Sequence, residues 1–125
     1  MEQVIYEHTL DKARRLVRCQ MQCYLCQTKK DESGPEVAMW EQAVWLATSF
    51  YENAKVEWVE WLSTTPIPDS TLSSIIVQAV VAAKSTAAEP YQEKLGPAWV
   101  ETTLGRFMQS FNPHNLQLSK LVPSK

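Results

Sequence analysis

Between residues 37 and 61 the apolar positions follow one another in steps of three and four without a slip: Val37, Trp40, Val44, Ala47, Tyr51, Ala54, Trp58 and Trp61. Only a helical period brings all of them onto one side of the chain. With its flanks the stripe predicts a helix of about 28 residues, about 40 Å long at the α-helical rise. Met39, Ala43, Leu46 and Phe50 widen the apolar face, so this helix is expected to pack against more than one neighbour. Pro66 and Pro68 in "STTPIPD" stop it. On its N-terminal side Ser33 and Glu36 read as a capping box, with Pro35 in the first turn.

The neighbours read as helices too. Over residues 2–28, Tyr6, Leu10, Ala13, Val17, Met21 and Tyr24 define one face, with Asp11, Arg14, Arg18 and Gln22 opposite. Lys29 and Lys30 sit at its end, where a helix favours positive charge. The stretch "DSTLSSIIVQAVVAAKSTAAEP" is predicted helical from about 70 to 88. Because it is apolar nearly all round, it is expected to be the central, most buried helix. Pro90 ends it, and "YQEKL" is a turn. Gly96-Pro97 opens a last helix bearing Val100, Leu104, Phe107 and Phe111, and Asn112-Pro113 stops it. The fold class is all-α: a bundle of four main helices in one domain, residues 1–125, with about 114–125 a tail that docks through Leu116, Leu118 and Leu121.

Charge is distributed unevenly. The chain has 125 residues and a net charge of −2, yet residues 1–30 carry +3 and residues 31–101 carry −8. A basic end and an acidic middle suit polyanion binding at one end, or pairing of copies. The longest unbroken apolar run is short, so no bilayer span is expected, and "MEQVIYEHTL" lacks the order of a signal peptide. A cytoplasmic protein with reduced thiols follows from these expectations, since its odd cysteine count does not suit a disulfide framework.

Those cysteines stand in "CQMQCYLC", with the C-x3-C-x2-C spacing that radical S-adenosylmethionine enzymes use for an iron–sulfur cluster. The resemblance ends there: Leu25 holds the place of a usual aromatic, and the long α/β barrel of those enzymes does not fit a helical chain this size. On a helix Cys19, Cys23 and Cys26 share one edge, with His8 about three turns away. A metal site of the three thiols with His114 is the minor alternative to small semi-buried thiols. No cofactor is expected, and no catalytic role: His8 and His114 have no nucleophile or carboxylate pattern around them, and Glu57 and Glu60 read as a solvated pair.

The stretch "DKARRLVRCQ" sets Arg14 and Arg18 one turn apart, flanked by Lys12 and Arg15. Guanidinium forks at helical spacing suit successive phosphates, against the simpler reading of a solvated helix face. Of the tryptophans, Trp40, Trp58 and Trp61 are expected in the core, Trp45 falls off the stripe, and Trp99 fits either place. In length, helical build and the basic stretch "DKARRLVR", the chain resembles the small helical subunit of CRISPR effector complexes. That resemblance implies copies stacked along a guide-RNA backbone, touching RNA or DNA strands without reading sequence. Arg14, Arg15 and Arg18 would make the contacts, helped by Lys12, Lys29 and Lys30, while the acidic middle faces a neighbouring subunit. The expectation is thus a non-enzymatic subunit of a nucleoprotein assembly. Its rival is a helical protein–protein interaction module presenting a tryptophan-bearing surface.

Overall fold

The computed structural model describes residues 2–121. Four long helices follow one another: α1 (Gln3–Glu32), α2 (Val37–Thr64), α3 (Asp69–Leu95) and α4 (Pro97–Ser110). A 3₁₀ turn, Gly34–Glu36, joins α1 to α2. A second, Pro113–Leu116, and a last helical turn, α5 (Leu118–Leu121), follow α4. The chain is an all-α helical bundle, and no strand occurs among the described residues.

The central helix is α1, not α3 as its composition suggests. It touches α2 on one side, α3 on the other, and α4 behind, whereas α2 and α3 meet only through side chains where the start of α2 nears the end of α3, at Trp40 and Lys94. Being covered on three sides, α1 buries Thr9, Leu16, Cys19, Leu25 and Cys26 as well as the expected Ala13, Val17 and Met21. The α3 helix packs through Leu72, Ile75, Ile76, Ala79, Ala83 and Ala87, and leaves Val77 and Val81 in water. Its alanine row, with no side chain beyond Cβ, is what lets an adjacent backbone approach closely. By length and hydropathy α3 is also apolar enough to cross a membrane, contrary to the expectation from run length; the row it buries joins the same core as α1 and α4.

The helix predicted to span about 28 residues does so, as α2. Trp40, Ala47, Ala54 and Trp58 are buried along its stripe, with Tyr51 and Trp61 half-buried. No second long helix runs along it among the described residues. Its main partner is α1, joined by the short terminal elements and by the end of α3 at Trp40, and Met39, Leu46 and Phe50 are 46%, 51% and 53% exposed.

Two local expectations are corrected. Ser33 does not cap α2: its hydroxyl donates back to the Lys29 carbonyl and it closes α1, with Gly34 taking a left-handed φ of 53° to turn the chain. Capping α2 would require Ser33 in extended backbone, but it is helical at φ −85° and ψ −14°. Pro90 does not end α3 either; the helix runs through it to Leu95. What offsets the lost amide is packing, because Tyr91 and Leu95 just beyond the proline bridge both core clusters. Gly96 (φ 88°) then makes the break into α4.

The tail docks. Leu116 is 1% exposed, and its carbonyl accepts the indole N–H of the fully buried Trp58 at 2.8 Å. Leu121 packs against the same core. Residues 122–125 of the expected tail lie outside the described residues.

Candidate functional site

Helices α1 and α2 form an antiparallel hairpin whose register is fixed by contacts along the seam. Trp61 donates its indole N–H to Thr9 Oγ1 at 2.8 Å, Arg15 pairs with Glu57, and Cys26 clusters with Trp40 and Ala47. The solvent side of α1 carries Asp11, Arg14, Arg18 and Gln22 at steps of three and four. The α2 residues Met39, Leu46, Phe50, Asn53 and Glu57 make a second stripe at steps of seven, four, three and four. Because Arg15 reaches Glu57, the two stripes lie on the same side of the hairpin. This front face is half guanidinium and half apolar.

The six basic residues expected to act together are not one patch. Arg14, Arg15 and Arg18 share the front of α1, but Arg14 is paired with Asp11 at 2.6 Å and Arg15 with Glu57. Lys12 turns to the seam, its Nζ 5.4 Å from the ring centre of Trp61. Lys29 lies 5.7 Å from the ring of Trp99, whose indole N–H donates to Glu32 at 3.0 Å. Lys30 stands apart near the end of α1. Arg18 makes no ion pair among the described residues, while cation–π contacts hold both Lys12 and Lys29.

The cysteines line the inner edge of the hairpin. Cys19 and Cys26 are buried and Cys23 is half-buried. The Cys26 thiol donates to Tyr91 Oη at 3.4 Å. Burial pushes the Cys23 thiol up to about 11 against the pull of its Thr48 hydrogen bond, with the neighbouring Cys19 and Cys26 adding to the rise. Burial also raises Cys26, opposed by its Tyr91 hydrogen bond and by Lys94. A metal-binding thiol needs the opposite shift. Among the described residues no three His, Cys, Asp or Glu side chains come together as ligands, and the alternative set of Cys19, Cys23 and Cys26 is spread along packed helix. His114 is exposed on the second 3₁₀ turn.

Sequence reasoning took Glu57 as a solvated acid and Met39, Leu46 and Phe50 as a packing face, and so did not join them to the arginines. The period of three and four detects an apolar position but not which helix covers it. Glu57 is eleven residues after Leu46 and seven after Phe50, a spacing that was available as a signal. Trp45, off the stripe, is the most exposed of the large apolar residues at 72% and flanks the same surface from the outer side of α2.

No protein family matches this chain, and no curated protein or solved structure matches it. The fold therefore defines the class, an all-α helical bundle.

Proposed function

We propose that this protein is a non-enzymatic helical interaction module, a subunit of a larger assembly that docks through the front face of the α1–α2 hairpin. The observation that carries this reading is the exposure of Met39, Leu46 and Phe50 in one row beside an arginine strip. Apolar side chains left half in water over several turns, rimmed by charge, are the usual composition of a docking surface. Capture of binding partners on immobilised protein tests it. Leu46→Glu with Phe50→Glu is expected to abolish capture while Val77→Glu, on α3, leaves it intact. Equal capture by all variants contradicts the assignment.

A second reading keeps a nucleic-acid backbone as the partner of the strip. It is favoured by Arg18, which has no ionic partner among the described residues and lies one turn from Arg14. In this reading the protein belongs to a nucleoprotein assembly and contacts RNA or DNA without reading sequence. Its test is a salt titration of binding to single-stranded RNA, DNA and a control polyanion. Arg14→Ala, Arg15→Ala and Arg18→Ala together are expected to weaken binding and flatten its salt dependence. Unchanged binding removes nucleic acid from this face.

A further inference from the structure

The geometry points to a second copy of this chain as the occupant of the front face, an inference that rests on reading that face as a docking surface. We propose an isologous dimer in which two α1–α2 hairpins stack front to front about a two-fold axis parallel to the helices. Such an axis sets the partner's α2 over α1 and the partner's α1 over α2, and leaves positions along the helices unchanged.

The seam contacts then fix what meets what. Within one chain Arg15 lies level with Glu57 and Thr9 with Trp61. Across the axis, the partner's Glu57 comes level with Arg15 and faces the gap between Arg14 and Arg18, one turn apart on the front of α1. Symmetry repeats the contact, so two acidic groups meet two arginine pairs. Arg14 and Arg15 already hold one carboxylate each, and Arg18 supplies the charge not yet matched among the described residues. The other stacking, about an axis perpendicular to the helices, sets α1 on α1 and opposes arginine to arginine. Charge therefore selects the first.

Apolar area fits as well. Met39, Leu46 and Phe50 occupy the half of α2 away from Glu57, and Phe50 comes level with Gln22 of the facing α1, whose aliphatic stem can cover it. A hairpin face about 40 Å long and about 20 Å wide offers on the order of 800 Å² per partner, the usual size of a specific interface. Within the hairpin α1 carries six basic and four acidic side chains and α2 one basic and four acidic, so the two halves of each hairpin match the opposite halves of its copy in sign of charge.

Sedimentation equilibrium of the full chain tests this. Wild type is expected to approach twice the 14.3 kDa chain mass as concentration rises through the order of 10 µM. Arg18→Glu and Glu57→Lys, each alone, are expected to weaken the dimer about tenfold by opposing like charges. Mixed in equal amounts, the two variants are expected to recover wild-type association, since each then faces its complement at both contacts. Circular dichroism matching wild type shows that both variants fold, and Arg18→Gln, which removes charge without reversing it, provides a milder step of the same sign. A wild type that stays monomeric at about 200 µM overturns self-pairing alone, leaving partner capture to judge the docking face. A mixture that associates no better than either variant overturns the stacking. Leu46→Glu and Phe50→Glu proteins that keep the wild-type dimer mass overturn the front face as the dimer contact, while loss of partner capture in the same proteins still tests the docking role separately.

Discussion

Trp58 and Trp40 are both buried on α2 with opposite polar outcomes. The Trp58 indole N–H donates to the Leu116 carbonyl, whereas the Trp40 N–H is buried with no partner. Replacing Trp58 with Phe should leave that carbonyl unpaired and cost about 1–3 kcal/mol; Trp40→Phe removes an unpaired donor and should be near neutral on the same urea curve. The Lys94 ammonium 5.5 Å from the Trp40 ring partly compensates, through the ring face rather than the N–H. Cys23 gives a pH signature at the same scale. Burial pushes its thiol from the ordinary 9.0 up to about 11 in the folded state, so between these values the folded state binds more protons than the unfolded one. Stability is thus expected to be full below about pH 9 and to fall as pH rises to about 11. Cys23→Ser should remove that part of the fall.

At the level of elements, α3 carries the clearest prediction. Pro90 sits inside a helix that continues to Leu95, so Pro90→Ala restores an amide donor and relieves the ring against the preceding turn. Chemical denaturation is expected to show a gain of about 1–3 kcal/mol; a loss would mean that α3 needs a break at this point. The same helix shows what the sequence could and could not reveal. Helix existence and length were legible in α2, because Trp40, Ala47, Ala54 and Trp58 recur with the period of the buried face. The end of α3 was not, because local rules weigh Pro90 without Tyr91 and Leu95, whose packing lies on residues far away in the chain. Ser33 misleads likewise: one serine can close α1 or open α2, and the left-handed Gly34 beside it decides for α1.

For the whole molecule, the arrangement of three helices side by side with α4 behind explains why so much of the apolar surface is one-sided. A helix between two others is covered; a helix at the edge is not. The sequence located the arginines of the strip residue by residue, yet the candidate site depends on which helix is central, and composition favoured α3. Thr9, Cys19 and Cys26 are buried because α1 has neighbours on three sides, which no periodicity on α1 alone displays. Met39, Leu46 and Phe50 lie outside the core, half in water, as the proposed docking face requires. Urea unfolding of Phe50→Glu at a concentration well below dimer formation tests this most directly. A stability within about 0.5 kcal/mol of wild type is expected, as for a surface position; a loss of about 3 kcal/mol or more, the cost of a charge in a core, would place Phe50 in the core instead.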